Sequence, residues 1–311
     1  MRRLIIGSRG SPLALCQSKL VQELVEGQNP GLATEIRIIR TTGDQTSRAG
    51  LAGLAGSTKG LFVKEIQEAL LGGGIDLAVH SLKDLPGESV PGLSIAAIPA
   101  REDPRDALVS SADLPDLDAL PEGAKVGTGS PRREVQLRLL RRDLDILPVR
   151  GNVGTRIQKV GGTEGLDAVV LAAAGLRRLG LGTRISYAFS VEEMIPAVGL
   201  GALAVEVRSD DRGVRDLLRP LDDRTTRQCT AAERSFLQTL GGGCQAPIAG
   251  HAFVSNGTAT FTAFVADPAT LEVLRRTRQG KPEDLESLAL RTAQDLLSLG
   301  ASEILKRISP E

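Results

Sequence analysis

Short apolar runs alternate with amphipathic stretches along most of the chain. Leu4-Ile5-Ile6 predicts a buried strand, and Ser11-Pro12 predicts the start of a long helix, because serine is favoured at the N-cap and proline at the first helical position. The same order recurs where Lys125-Val126 leads through a glycine-rich turn to Ser130-Pro131. This repetition indicates two lobes built on one plan.

A second pair of apolar runs, 74–79 and 165–170, also recurs in the same order. Strands that alternate with helices predict parallel α/β sheets, which bind ligands beyond the carboxyl ends of their strands. Segments at 99–104 and 192–201, which contain proline or glycine, predict two crossings between the lobes. We expect lobe 1 at 1–99 plus 200–218 and lobe 2 at 100–199, with both lobes facing one cleft.

The pattern changes after Pro220. A helix is predicted from about Thr225 to Leu240, and a final helix over about 282–308. Between them, alternating segments near 248–255, 258–266 and 271–278 predict an antiparallel sheet. The expected fold class is therefore α/β, with two lobes and a third, smaller α+β C-terminal domain at 219–311.

Composition narrows the classes of function. The 311 residues include 38 basic and 38 acidic side chains and only 2% aromatics, so no overall field favours nucleic acid or an anionic membrane. Any anion site must be local. Cys16, Cys229 and Cys244 show no Cys-x-x-Cys spacing, and with two histidines the chain is expected to hold neither disulfides nor a metal. No apolar run resembles a signal peptide or a membrane span, which predicts a cytoplasmic protein.

Arginines cluster at the two predicted helix starts and in a glycine-rich segment. A helix N-terminus presents unpaired N–H groups and partial positive charge, and guanidinium groups bind carboxylates through two parallel hydrogen bonds. A polycarboxylate ligand is therefore predicted for Arg9, Arg132, Arg133, Arg150 and Arg156. The alternative is that arginines lie on solvated helix faces, and this interpretation is preferred for Arg138, Arg141 and Arg142.

Two further residues are candidates for chemistry. Asp84 follows a predicted buried strand and adjoins Lys83, so it is either a catalytic carboxylate or an N-cap or satisfied ion pair. Cys244 follows three glycines, which leave its sulfur accessible to a bulky group. It is either a covalent attachment point or a buried structural thiol.

Six motifs, in order along the chain, resemble those of the hydroxymethylbilane synthase (porphobilinogen deaminase) family over essentially the whole length. They are Ser11-Pro12-Leu13-Ala14-Leu15, Lys59-Gly60-Leu61-Phe62-Val63-Lys64-Glu65, His80-Ser81-Leu82-Lys83-Asp84-Leu85-Pro86, Arg101-Glu102-Asp103-Pro104-Arg105-Asp106, the segment 150–156, and Gly242-Gly243-Cys244-Gln245-Ala246-Pro247-Ile248. The resemblance implies two lobes similar to periplasmic binding proteins and a C-terminal domain that carries a cofactor cysteine.

The resemblance also implies the chemistry. A transferase of this family condenses four porphobilinogen molecules head to tail, releases ammonia, and frees the linear tetrapyrrole by hydrolysis. Its primer is a dipyrromethane cofactor, attached by a thioether to the position that matches Cys244. Asp84 matches the catalytic aspartate, which stabilises developing positive charge. The protein is expected to act as a monomer, with no nucleic-acid or membrane partner.

The matching motifs assign the other site residues. Cofactor-binding residues are Cys244, Ser81, Lys83, Asp84, Thr128, Ser130, Arg132 and Arg133. Substrate-binding residues are Arg9, Ser11, Lys59, Arg150, Arg156 and Arg178. Two positions depart from the family pattern: Pro131 stands where leucine is usual and removes an N–H, and Leu200 stands where glutamine is usual.

Two other classes of function compete. A non-catalytic two-lobed anion-binding protein would explain the lobes and the arginines, but not Cys244 in its glycine loop. A nucleic-acid-binding protein would explain the basic segment 132–142. The chain, however, has few aromatic side chains for base stacking and no net positive charge.

Overall fold

A computed structural model describes residues 3–42, 63–87, 89–112, 114–162, 165–241 and 246–308. The chain divides into two compact units. One consists of Met1–Glu102 and Ala202–Arg227, and the other of Asp103–Gly201 and Gln228–Glu311. Each unit is described below by itself.

The described residues form strands and helices that follow the expected alternation. The strands are β1 (Leu4–Ser8), β2 (Thr34–Ile38), β3 (Leu77–Ser81), β4 (Leu93–Ala97), β5 (Asp106–Ser110), β6 (Lys125–Gly127), β7 (Asp145–Leu147), β8 (Ala168–Ala172), β9 (Tyr187–Ala188), β10 (Leu203–Arg208), β11 (Ile248–Ser255), β12 (Thr258–Ala266) and β13 (Val273–Gly280). The helices are α1 (Pro12–Gln28), α2 (Lys64–Leu71), α3 (Pro131–Leu140), α4 (Val153–Gln158), α5 (Ala173–Arg178), α6 (Arg212–Leu218), α7 (Arg224–Thr239), α8 (Leu285–Ser298) and α9 (Ala301–Ile308).

The first unit contains a five-stranded sheet in the order β2-β1-β3-β10-β4. Side chains alternate across it, so Leu77 and Val79 pack with α1 residues such as Val21 on one face. Ala78 packs with Ile66 of α2 on the other face. Because both faces are covered by helices, most strand residues are apolar on both sides; the buried His80 and Glu206, within β3 and β10, are polar exceptions.

The second unit repeats this plan in a sheet of order β7-β6-β8-β5-β9. Val126 and Val170 pack with Leu137 of α3 on one face, while Val169 packs with Ile157 of α4 on the other. The correspondence of strand order confirms the internal repetition predicted from the sequence.

The sheets are not fully parallel, which corrects the sequence prediction. In each sheet one strand runs against its two neighbours: β10 is antiparallel to β3 and β4, and β5 is antiparallel to β8 and β9. Both strands begin just after a predicted crossing, so each enters its sheet from the opposite direction to the strands of the regular strand–helix alternation. Hydrophobic pattern alone does not reveal this, because buried strands of either direction are continuously apolar.

The C-terminal part of the second unit is an antiparallel sheet, β11-β12-β13, as predicted. Phe261 packs against Phe236 of α7 and against the apolar face of α8. The single final helix that was predicted is instead two helices, because Gly300 has φ +102°, outside the helical region. The predicted fold class, two α/β lobes and a smaller α+β part, is confirmed.

Candidate cofactor-binding and active site

Asp84 lies just beyond strand β3, in a 3-10 turn formed by Leu82–Asp84. Leu82 and Leu85 are buried, and the N–H of Leu82 donates to the carbonyl of Ala202 at 3.0 Å. These contacts fix the turn and leave the Asp84 side chain exposed. Within the described ranges, Asp84 is neither an N-cap nor part of an ion pair. Its carboxylate is therefore available to a ligand.

Ser81 is bound to helix α1. Its hydroxyl accepts a hydrogen bond from Nε2 of Gln17 at 2.9 Å and lies 3.2 Å from Oε1 of the same residue. Gln17 is buried, so this contact joins the end of β3 to α1 inside the first unit. Lys83 is half-buried in the turn that follows. Ser81 thus has a structural partner in addition to its assigned place in the site.

The loop between β1 and α1 holds Arg9 and Ser11, both half-buried. Ser11 is the N-cap, and its hydroxyl accepts from the N–H of Ala14 at 3.3 Å. Pro12 occupies the first helical turn, as predicted. The remaining N–H groups of this turn give the loop the partial positive charge of a helix N-terminus.

The corresponding loop of the second unit holds Thr128 and Ser130. Thr128 is buried, and its hydroxyl accepts from the N–H of Ser130 at 3.2 Å. Ser130 is the N-cap of α3, but its hydroxyl makes no capping bond and remains a possible donor or acceptor for a ligand. Pro131 falls in the first helical turn, where its missing N–H removes no hydrogen bond from the helix.

Arg132 and Arg133 follow on α3 and are almost completely buried, at 4% and 6% exposure. Both bind the carboxylate of Asp106, the first residue of β5. Nη2 of Arg132 lies 2.7 Å from Oδ2, and Nη2 of Arg133 lies 2.7 Å from Oδ1. Backbone carbonyls take further bonds: Nη1 of Arg132 donates to Ile195 at 2.7 Å, and Nη1 of Arg133 donates to Val170 at 3.0 Å.

The charges of this group do not balance. Burial would raise the pKa of Asp106, but the two guanidinium groups outweigh that effect and hold the pKa below its ordinary value. Burial lowers the pKa of Arg132, and Asp106 opposes the shift. Since arginine stays protonated in proteins, two positive charges face one negative charge in a desolvated setting. The group attracts a further anion.

Arg150 and Arg156 add to this excess. Asn152 caps α4, and Nε of Arg156 donates to the carbonyl of Gly151 at 2.8 Å. Gly151 has φ +111°, which lets the chain turn back toward the helix. Burial lowers the pKa of Arg156, and the nearby charges of Arg133 and Arg150 lower it further. In the part of the chain that is described, no carboxylate forms an ion pair with Arg150 or Arg156.

These four arginines fit a ligand that carries several carboxylates. A dipyrromethane bears such groups, and the guanidinium and hydroxyl donors of the second unit are the types that bind carboxylates through charge-assisted hydrogen bonds. The structure of this unit is therefore compatible with the cofactor that the resemblance implies. We call Arg132, Arg133, Arg150 and Arg156, together with Asp106, the arginine cluster.

The remaining assigned residues differ in their settings. Arg178 is half-buried, and its Nη2 donates to the carbonyl of Gly201 at 2.7 Å. Cys244 and Lys59 lie outside the described residues. Of the arginines expected on solvated faces, Arg141 is instead largely covered, with its Nε donating to Asp143 at 2.7 Å and its Nη1 donating to the carbonyl of Leu117 at 3.2 Å.

Asp106, Gln17 and Gln136 were not among the site residues predicted from the sequence. Asp106 directly precedes the apolar run of β5, and a carboxylate at the edge of a buried strand requires a cationic or N–H partner. The position of Asp106 at the start of this apolar run could therefore have predicted a buried ion pair. Nothing in the sequence marked the two buried glutamines, because their partners are backbone and side-chain groups distant along the chain.

Both histidines are buried beside glutamates. Nε2 of His80 lies 3.1 Å from Glu206, and Nδ1 of His251 lies 3.3 Å from Glu233. Among the residues that the structure describes, no cluster of side chains suited to a metal ion is found. A search of the same residues finds no helix with the length and apolar character needed to span a membrane.

Comparison with known proteins assigns the chain to a family. The family model "Porphobilinogen deaminase, dipyromethane cofactor binding domain" matches residues 4–216. The model "Porphobilinogen deaminase, C-terminal domain" matches residues 227–298. The chain belongs to the porphobilinogen deaminase family. The predicted family and its enzyme class, transferase, are confirmed, and residues 4–216 correspond to the family's cofactor-binding domain.

Curated relatives extend the similarity over nearly the whole chain. The porphobilinogen deaminase of Syntrophobacter fumaroxidans is 47% identical over 308 residues, which cover 99% of this chain and 98% of the relative. That of Syntrophus aciditrophicus is 45% identical, covering 97% and 98%. A substrate binding domain of a putative amino acid ABC transporter from Streptococcus pneumoniae is 12% identical with a TM-score of 0.41, covering 77% of this chain and 95% of that chain. A TM-score this low bears on neither fold nor function.

Replacement of Asp106 tests the charge balance of the arginine cluster. Asp106→Asn leaves two buried guanidinium groups without a counter-charge, so we expect the free energy of unfolding to fall by about 3 kcal/mol at pH 7. Urea unfolding measures this, with the exposed Asp145→Asn as the control.

The effect should also depend on pH. Because folding lowers the pKa of Asp106, its contribution to the free energy of unfolding is present at neutral pH and is lost as the pH falls below about 3.9. The difference between variant and wild type should therefore shrink at low pH; equal stability at pH 7 would contradict the assigned role.

Proposed function

We propose that this chain is a hydroxymethylbilane synthase. It condenses four porphobilinogen molecules head to tail on a covalent dipyrromethane primer, releases one ammonia per condensation, and frees the linear tetrapyrrole by hydrolysis. The observation that supports this most is the arginine cluster, in which Arg132 and Arg133 bind one carboxylate, that of Asp106, and Arg150 and Arg156 add two more positive charges close by.

The substrate explains the need for such a cluster. Each pyrrole of the family's substrate carries an acetate and a propionate, so a primer with a complete chain presents about twelve carboxylates that must be bound in charge-assisted hydrogen bonds. Thr128, Ser130, Arg132 and Arg133 would hold the cofactor, with Ser81 and Lys83 and with Cys244 as its covalent anchor. When bound, the dipyrromethane supplies the pyrrole carbon to which the first substrate unit is joined. Arg9, Ser11, Lys59, Arg150, Arg156 and Arg178 would bind the substrate carboxylates.

Asp84 is the catalytic residue in this proposal. The bond between the substrate's side-chain carbon and its amino nitrogen breaks, ammonia leaves, and positive charge develops on the pyrrole. The Asp84 carboxylate is exposed and pairs with no described cation. Once a bound ligand excludes water from it, this carboxylate stabilises the positive charge on the pyrrole more than water would. Asp84 would also accept a proton from the pyrrole; the absence of bonds from its oxygen atoms to other described residues supports this role.

The predicted division into domains is part of the proposal. The three separate sheets support lobe 1 at 1–99 plus 200–218, lobe 2 at 100–199 and the C-terminal domain at 219–311. The break between the two family models, after residue 216 and before 227, is compatible with the last boundary. We also infer a cytoplasmic monomer that acts on a small molecule and binds no nucleic acid, as expected from the balanced charge.

Asp84→Asn tests the catalytic assignment. The amide keeps the shape of the side chain but cannot offset a cation, so turnover of porphobilinogen should fall at least about a hundredfold. Ammonia release by the purified variant measures this. The matched control is Asp216→Asn, which neutralises another exposed aspartate of the first unit and should leave turnover unchanged. Ammonia release at the wild-type rate from Asp84→Asn would remove Asp84 from the mechanism.

Intact-protein mass spectrometry tests the covalent anchor. The wild-type chain should carry the added mass of a dipyrromethane, and Cys244→Ala should carry none and form no product. Cys16→Ala, on helix α1, is the control and should keep the added mass. A bare polypeptide mass for the wild-type chain, prepared from cells that make porphobilinogen, would instead favour a non-catalytic anion-binding protein.

A further inference from the structure

Gln136 lies on α3 one turn after Arg132 and is only 4% exposed. Its Oε1 accepts from the N–H of Ile195 at 2.8 Å. Its Nε2 donates to the carbonyl of Ile195 at 3.2 Å and to that of Arg132 at 3.3 Å. The side-chain amide therefore pairs with both backbone groups of Ile195, and its own oxygen and nitrogen are both satisfied. A buried amide with all its bonds made holds its partners in one arrangement.

The carbonyl of Ile195 has a second donor, which belongs to the arginine cluster. Nη1 of Arg132 reaches it at 2.7 Å. The Ile195 side chain is 1% exposed and packs with Val135, Ala249 and Phe264, so its position is fixed by the core as well as by Gln136. The acceptor that Arg132 uses is thus held from two sides.

Two contacts on different nitrogens define the plane of a guanidinium group. For Arg132 these are Nη2 to Asp106, at 2.7 Å, and Nη1 to Ile195, at 2.7 Å. With Asp106 alone, the planar group could rotate about that contact. With Ile195 as well, the direction of its remaining N–H groups is set. Precise aim matters because a carboxylate is bound best by two parallel hydrogen bonds.

We propose that Gln136 is a positioning residue of the arginine cluster. It holds the Ile195 carbonyl that aims Arg132 at a carboxylate of the dipyrromethane, without touching the cofactor itself. This proposal rests on the proposed function and adds Gln136 to it, as a residue that orients Arg132. It concerns the assembly of the primer, which is the stage at which Arg132 first takes up a carboxylate.

The test is the loading of full-length chain produced without porphobilinogen. Porphobilinogen is added at increasing concentrations, and intact mass gives the fraction of chains that gain the primer. Gln136→Met keeps the length of the side chain and removes its hydrogen bonds. We expect its half-maximal loading to need about tenfold more porphobilinogen, the effect of one weakened charge-assisted bond. Gln136→Glu should load worse still, because its carboxylate competes for Arg132.

A stability control separates positioning from a general loss of structure. Leu114→Ala removes a buried side chain from the core of the same lobe, outside the network of Gln136 and Ile195. It should lower the urea midpoint as Gln136→Met does, yet load at the wild-type concentration. Wild-type loading by Gln136→Met, or equal impairment in Leu114→Ala, would overturn the inference. A wild-type chain that gains no primer mass would instead refute the proposed function.

Discussion

Asp106 is a fully buried carboxylate that binds two guanidinium groups at 2.7 Å. A buried ion pair usually costs more in desolvation than it returns unless its charges and hydrogen bonds are complete. Here Oδ1 of Asp106 accepts from Nε of Arg133 at 2.8 Å, Oδ2 has only the ion-pair contact with Arg132, and one positive charge is left over. Arg150 and Arg156 add two more, with no carboxylate among the described residues to offset them. The fold thus maintains a local excess of positive charge in a chain whose overall charge is zero.

This excess determines what the second unit can bind. A single chloride or phosphate would leave most of the guanidinium groups unused, whereas a ligand with several carboxylates can engage them together. The buried pair on α3 is held by Asp106, Ile195 and Val170, so its geometry is set before a ligand arrives. Such preorganisation reduces the entropy lost on binding. The first unit contributes a different element, the exposed carboxylate of Asp84 on a turn fixed by buried leucines.

Much of this arrangement could be predicted from local patterns. Ser11-Pro12 and Ser130-Pro131 are helix starts in the structure, and the repeated apolar runs are the strands of two similar sheets. Strand direction could not be predicted, since β5 and β10 owe their antiparallel placement to crossings of the chain rather than to their composition. The same limit applies to Gln17 and Gln136, whose partners Ser81 and Ile195 lie far away in sequence. The proposed roles of Asp84 and Cys244 rest on motif resemblance, because residue patterns alone left them open.

We propose that the uncompensated guanidinium groups bind the carboxylates of the substrate. The most direct measurement is the KM for porphobilinogen as a function of potassium chloride, for the wild-type chain and for Arg150→Gln combined with Arg156→Gln. Added salt screens exposed and partly buried charges. The wild-type KM should therefore rise with salt, and the double variant should show a higher KM at low salt with a weaker dependence. The same KM for both proteins, unchanged by salt, would contradict the account.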